Sequence, residues 1–374
     1  MFKTKVLLLV VLSPILLILT LSTLFTGLTY DNVNIRYQEK HLEYLKTEYY
    51  TELYTPCDEH KLADFNIAEA YSDGTKLNEL TVIGTHNSYQ LLTYFPRRAL
   101  HGILYYATSK SQYDKYDFEM DTLTQQLENG VRKLEIDIET VDDGEIRFIV
   151  THDPITDNVS SCYDFEKALE EIKMWSDNNP DHLPITVMIE PKKYVPAVNN
   201  MKSFKIEYAN EFDKIIREKM GDSLLTPNDM MGKYESLKEM RENDGWLPLE
   251  KTMGKVIFLL HESNVTEDYI KQDESVKSQA MFPMLRYEDR DKSYASFILD
   301  NKPHEALEHE EELIGRCNLI VRTRADSYPE CTEERYASAN ESKAQIITTD
   351  YPMKTRESKY HIYSFDGYTV KLQK

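Results

Sequence analysis

From residue 80 onward, short apolar runs rich in β-branched residues alternate with amphipathic stretches. The runs are LTVIG (80–84), KLEIDIE (133–139), RFIVTH (147–152), ITVMIE (185–190), KVIFLLH (255–261), AMFPML (280–285), NLIVRT (318–323) and QIITTD (345–350). Runs of this length predict strands, and their near-continuous apolar character predicts strands covered on both faces, as in a parallel sheet. Thr122–Asn129, Asp164–Asp177, Lys202–Lys219 and His304–Gly315 carry the spacing of helices between them. Eight such strands over about 280 residues fit an α/β fold of the (β/α)8 TIM-barrel type, with one irregular early unit. The irregularity is the short link between the second and third runs, where Asp142-Asp143-Gly144 signals a hairpin turn. An open doubly wound sheet is the competing architecture. Its dinucleotide-binding form requires a glycine-rich first loop, whereas the first loop here is Gly84-Thr85-His86-Asn87-Ser88.

A different pattern precedes the barrel. Lys3 and Lys5 lead into an uncharged apolar run from Val6 to Leu28, the layout of a signal peptide or an uncleaved signal anchor. The run meets the ~20 residues that span a bilayer and has no good small-x-small exit, which tilts the reading towards an anchor. Either way the two lysines stay on the cytoplasmic side and the rest is exported, extracellular or lumenal, secreted or held by a single-pass anchor. The expected organisation is therefore a signal or anchor segment at 1–30, a charged, tyrosine-rich stalk or packing helix at 31–77, and a catalytic barrel at 78–374. Export changes how the cysteines read. Cys57, Cys162, Cys317 and Cys331 are an even set, which predicts two disulfides, with Cys317–Cys331 closing the shortest loop. Sequons at Asn158, Asn264 and Asn340 predict a glycoprotein. No cysteine pair has the spacing of a zinc site.

Charge narrows the chemistry. Lys+Arg number 44 against 64 Asp+Glu, a formal net charge of −20. A nucleic-acid partner is excluded on that ground, because such proteins need a basic footprint to displace phosphate counterions. Adhesion to anionic lipid by bulk charge is disfavoured as well. Work on a phosphate must come from a local site or a bound cation.

In a barrel the active site forms where strands end and loops begin. The first strand ends in His86-Asn87, and the second carries Glu135 and Asp137, two apart and so on one face. The third ends in His152-Asp153 and the fourth in Glu190-Pro191-Lys192. Asn87, Glu135, Asp137 and Glu190 are all oxygen donors, a set for one hard cation such as Ca²⁺ rather than zinc. Without a cation the three carboxylates would repel one another. His86 and His152 can supply a base and an acid for in-line attack at phosphorus, and Lys192 is placed to meet a phosphate oxygen.

GTHNSYQ (84–90), LTQQLENGVRKLEIDIE (123–139), VTHDP (150–154) and VMIEPK (187–192) resemble the catalytic barrel of calcium-dependent phosphoinositide-specific phospholipase C, nearest the secreted single-domain type. VRTRAD (321–326) and IITTDYP (346–352) resemble later strand ends of that group. The likeness covers about residues 78–355. It implies Ca²⁺ held by Asn87, Glu135, Asp137 and Glu190, with His86 and His152 as the acid/base pair. It also implies a phosphoric diester hydrolase in which the inositol 2-hydroxyl attacks phosphorus, giving diacylglycerol and a cyclic inositol phosphate. The implied partner is an inositol phospholipid at a membrane surface, with no protein partner evident. Lys192 and Arg322 are candidates for substrate contacts, with Arg324 behind them, and Tyr89 could line the pocket.

Two other readings compete. A glycerophosphodiester phosphodiesterase uses a similar barrel with two histidines, but the HNSY string favours the first. A non-catalytic, surface-anchored lipid-binding barrel would have no need of both histidines and all four oxygen donors. His304 and His309 are five apart and do not share a helix face as a zinc-protease pair must. Ser263 lacks the Gly-x-Ser-x-Gly elbow of a serine hydrolase.

Overall fold

The computed structural model describes residues 32–92, 118–142, 144–153, 157–192, 201–327, 332–352 and 364–373, together with Ser13, Pro14, Leu17, Thr20 and Leu21. The strands, in chain order, are β1 Leu80–Thr85, β2 Lys133–Asp142, β3 Ile146–Val150, β4 Ile185–Pro191, β5 Met201–Lys202, β6 Val256–Leu260, β7 Met281–Leu285, β8 Phe297–Leu299, β9 Ile320–Arg324, β10 Ile346–Thr349 and β11 Val370–Leu372. Eight of them, β1-β2-β4-β6-β7-β8-β9-β10, pair in parallel. The pairing of β1 with β2 closes the barrel. Closure is tight at Gly84, opposite Lys133. A Cβ there would lie 2.8 Å from Lys133 Cβ and 3.1 Å from its carbonyl oxygen, so only glycine fits.

The expected number of barrel strands holds, but one member changes. RFIVTH, read as the third barrel strand, is β3, which folds back antiparallel on β2 with Ile138 opposite Val150 and Asp142 opposite Ile146. The hairpin closes where the Gly144 N–H donates to Asp142 Oδ1 at 3.4 Å, with residue 143 outside the described residues, and β3 leaves Ile146 exposed outside the barrel. The missing member is β8, parallel to β7 and β9. Its three residues are shorter than the runs by which a strand is recognised.

Alternation along each barrel strand sorts side chains between two layers. Leu134, Ile136 and Ile138 of β2, Val187 and Ile189 of β4, and Phe258 of β6 face the helices. Val82, Met188, Ile257, Leu259, Phe282, Phe297, Ile320 and Ile346 belong to a second cluster that fills the interior towards the base. Glu135 and Asp137 alternate with the outward residues of β2, so they point into the barrel above that apolar plug.

Helices α1 (residues 32–44), α2 (Leu123–Glu128), α3 (Phe165–Asn178), α4 (Ile206–Met220), α5 (Asn264–Gln272), α6 (Pro303–Glu310) and α7 (Glu333–Glu341) accompany the strands. Thr122 caps α2 through a capping box and Asp164 caps α3. Ser263, set aside as a nucleophile, is the N-cap of α5. α1 lies on the barrel rather than apart from it. Asn34, Gln38, Leu42 and Leu45 are buried, and Asn34 Nδ2 donates to the Asn158 carbonyl at 2.7 Å. Gln38 exchanges two hydrogen bonds with the Asp164 backbone.

Among the described residues no helix is long and apolar enough to cross a membrane; most of the 6–28 run lies outside them. Cys57, Cys162 and Cys317 are free thiols, so the expected disulfides are not formed among the described residues; Cys331 lies outside them. Asn158 is buried and closed to a glycan in the folded chain, whereas Asn264 and Asn340 are exposed.

Candidate active site

The turn after β1 is built to present side chains. Asn87 adopts φ 48°, a left-handed conformation that asparagine tolerates better than most residues. Ser88 latches the turn to β2: its N–H donates to the Glu135 carbonyl at 2.9 Å, and its Oγ accepts from the Glu135 N–H at 2.7 Å. Gln126 of α2 donates to the Ser88 carbonyl at 2.6 Å and accepts from Thr85 Oγ1 at 2.7 Å. Each such neutral bond contributes about 1 kcal/mol, and together they fix Asn87 beside Glu135.

Glu135, Asp137 and Glu190 each bring an oxygen within 4.8 Å of the others. Asn87 Oδ1 and Asp137 Oδ1 are buried with no hydrogen-bond partner. Oxygen-only donors, three of them acidic and two with unsatisfied buried oxygens, fit a hard divalent cation such as Ca²⁺. The acids are otherwise balanced by local cations. Glu135 Oε2 meets Lys133 Nζ at 2.5 Å and Arg322 Nη2 at 2.9 Å. Lys192 Nζ sits 2.7 Å from Asp137 Oδ2 and 2.8 Å from Glu190 Oε1. Tyr89 Oη donates to Asp137 Oδ2 at 2.6 Å.

The electrostatics differ from acid to acid. Burial alone would raise Glu135, but Lys133, Arg322 and His86 overcome it and hold it well below the usual range. Burial pushes Asp137 up to about 6, with Lys192 opposing and Glu190 and Glu135 adding to the rise. On Glu190 burial is outweighed by Lys192 and His261, and its carboxyl is lowered. On Glu139, the next residue on the same face of β2, burial outweighs the opposing Lys192 charge and raises the carboxyl to about 8.

His86 and His152 both face this rim. His86 Nδ1 is 2.8 Å from Asp350 Oδ1, and Nε2 lies 3.8 Å from Glu135 Oε1. Arg324 Nη2 runs alongside, 3.2 Å from Asp350 Oδ2 and 3.3 Å from His86 Nδ1. His152 Nδ1 is 3.7 Å from Asp157 Oδ2, and Gln90 Nε2 donates to both Asp157 carboxylate oxygens. Burial, then the Lys192 charge, lowers His152 to about 4.

All ten residues singled out from the sequence, Tyr89 and Arg324 included, gather here, though two sit differently from expectation. Arg322 is 2% exposed, fastened to Glu135 and to Asn301, while Lys192 is engaged by two acids. The reading along the chain missed Asp350, Asp157 and Lys133. Asp350 ends the last barrel strand, the one placement that marks it.

A closed parallel barrel whose C-terminal rim gathers two histidines, an oxygen-donor cluster and the buried Arg322 is suited to metal-assisted attack on a phosphoric diester. A family model described as phosphoinositide phospholipase C, Ca²⁺-dependent, matches residues 75–148 and 147–374. The chain belongs to that family, which sets the phospholipase reading ahead of the glycerophosphodiester one. Among solved structures it is similar to a calcium-dependent phosphoinositol-specific phospholipase C from Pseudomonas sp., with 18% identity and a TM-score of 0.58 over 84% of this chain and 100% of that one. A myo-inositol complex of that Pseudomonas protein matches at 17% identity and TM-score 0.58, over 84% and 99%. A Ca²⁺-dependent phosphatidylinositol-specific phospholipase C from Streptomyces antibioticus matches at 19% identity and TM-score 0.53, covering 74% and 95%. No curated protein sequence matches significantly.

Proposed function

We propose that the chain cleaves the glycerol–phosphate bond of phosphatidylinositol-type lipids at an exported membrane surface, using one Ca²⁺. Asn87, Glu135, Asp137 and Glu190 would hold the ion. When bound, it would lower the pKa of the inositol 2-hydroxyl and offset charge on the phosphoryl oxygen. Burial keeps His152 neutral at physiological pH, the form that accepts a proton. The Asp350 carboxylate, 2.8 Å from His86 Nδ1, fixes the proton there and turns Nε2 towards the rim. In the forward step the 2-hydroxyl oxygen bonds to phosphorus and the bond to the glycerol oxygen breaks. One histidine takes the hydroxyl proton and the other returns a proton to the leaving oxygen, giving diacylglycerol and the cyclic phosphate. Arg324, beside His86, and Lys192 would steady the phosphoryl oxygens; Arg322 positions Glu135.

The observation that carries this reading is the Glu135–Asp137–Glu190 cluster, in which Asp137 Oδ1 is buried without a partner and Glu135 lies 3.8 Å from His86 Nε2, while the turn tied to Glu135 through Ser88 carries a second unpartnered buried oxygen, Asn87 Oδ1. The cations of the rim are held by its acids, which supports weak preference for multiply phosphorylated headgroups. The test is ³¹P NMR of phosphatidylinositol vesicles with the full chain, in Ca²⁺ and then in EGTA. A cyclic inositol phosphate resonance that requires Ca²⁺ is expected. Hydrolysis of glycerophosphoinositol in place of lipid, or cleavage indifferent to EGTA, would overturn the reading.

A further inference from the structure

The way α1 is docked has a consequence for how the enzyme meets lipid. Its contacts step along α3 in one direction. Asn34 bonds residue 158 in the loop before α3, Gln38 bonds the α3 cap Asp164, Glu39 pairs with Lys167 at 2.8 Å, and His41 lies 3.1 Å from Glu171. Further on, Tyr54 and Cys57 bond Asn179, just past the end of α3. α1 and α3 therefore run parallel. α3 leaves the loop that carries His152 at the rim and delivers the chain to the start of β4 at the base, so α1 also begins at the rim. Asn158, which receives Asn34, adjoins Asp157, whose carboxylate is 3.7 Å from His152.

The first turn of α1 thus lies beside the catalytic loop. Leu28, the end of the apolar run, is six residues from Asn34, a tether of at most about 20 Å when fully extended. A barrel of this size is roughly 50 Å across, so the tether is too short to lead round to the base. The rim end of α1 also shows apolar side chains to solvent. Val33 and Tyr37 are each 47% exposed there, and Tyr44, 45% exposed, follows further towards the base. Tyrosine beside an apolar segment suits the headgroup region of a bilayer. With a net charge of −20 the domain gains no hold on an anionic surface from bulk charge.

We propose that the 6–28 segment stays in the bilayer and holds the catalytic rim facing that same membrane, with Val33 and Tyr37 at its interface, so that the enzyme draws substrate from the bilayer that anchors it. The proposal rests on the exported phosphatidylinositol-cleaving reading above and adds an orientation. To test it, the full chain is reconstituted into vesicles bearing a lipid-bound energy acceptor. A fluorescent unnatural amino acid is placed either at position 286, at the end of β7 on the rim, or at position 222, beside Lys255 at the base. Stronger transfer from 286 than from 222 is expected; equal or reversed transfer, or a chain whose first 30 residues are removed when cells export it, overturns the orientation. Cleavage of phosphatidylinositol in the host vesicles should run at least ten-fold faster than in separate acceptor vesicles at equal total lipid, and equal rates overturn it. The double variant Asn34→Ala, Gln38→Ala should lose at least three-fold of the host-vesicle rate and keep the rate in detergent micelles. Absence of cleavage in micelles as well would instead overturn the catalytic reading, while the energy-transfer comparison still decides the orientation.

Discussion

Strand β2 and the residue before it carry buried charge at both ends of the barrel, and the two ends are finished differently. At the base, Arg132 is fully buried, yet each of its guanidinium nitrogens has an acceptor: both Glu59 oxygens and the carbonyls of Leu127 and Val131. The guanidinium also stands 5.0 Å over the Trp175 ring. At the rim, Glu135 and Asp137 are as deeply buried, yet Asp137 Oδ1 and the neighbouring Asn87 Oδ1 have no partner. Burying a polar atom without a hydrogen bond costs free energy, and the base avoids that cost while the rim keeps it. The closed cluster holds the fold, and the open one is shaped for something that arrives.

That contrast is broken most severely at the rim histidines. His86→Ala and His152→Ala should each lower kcat by about 10²–10⁴-fold, with little change in melting temperature. A comparable loss of stability would place these residues with the base instead. Arg132→Ala should do the reverse. Stranding Glu59 should cost about 3–5 kcal/mol in urea unfolding, while Ca²⁺ still protects the folded fraction; unaltered stability would refute the structural role assigned to the base.

His182, also near the base, sharpens the comparison by pH. Both its nitrogens are engaged, with Ser176 Oγ at 2.9 Å and the Leu183 carbonyl at 2.7 Å. Burial lowers it from 6.5 to about 4. A depressed histidine contributes stability that is present above pH 6.5 and is lost as pH falls towards 4, on the order of 3 kcal/mol. His182→Gln should flatten that limb of a stability-against-pH curve; an unchanged limb would assign it elsewhere. The smallest effect concerns positioning. Asp350→Asn should lower kcat about ten- to a hundred-fold with KM little changed and should alter the pH profile of kcat; an unchanged profile would make Asp350 merely structural.

Much of the rim was legible along the chain because strand alternation is local. Glu135 and Asp137 stand between outward-facing Leu134, Ile136 and Ile138, and that spacing alone sends them inward. The strand-end positions of His86, Asn87, Glu190 and Lys192 are equally local. Asp350 escaped because its role exists only once the last strand lies beside the first and brings it to His86, 264 residues away in sequence. β8 escaped because three apolar residues carry no period, and β3 was misassigned because a hairpin arm and a barrel strand can share one apolar pattern. The docking of α1 depends on polar contacts across 124 to 130 residues, which no local pattern reveals.

Calorimetric titration of Ca²⁺ into the full chain, beside the Asn87→Ala and Asp137→Asn variants, tests the central claim that the open cluster at the rim is a calcium site. One ion bound per wild-type chain, with affinity reduced at least ten-fold in both variants, is the predicted result. No heat in the wild type, or the same affinity in all three proteins, would contradict it.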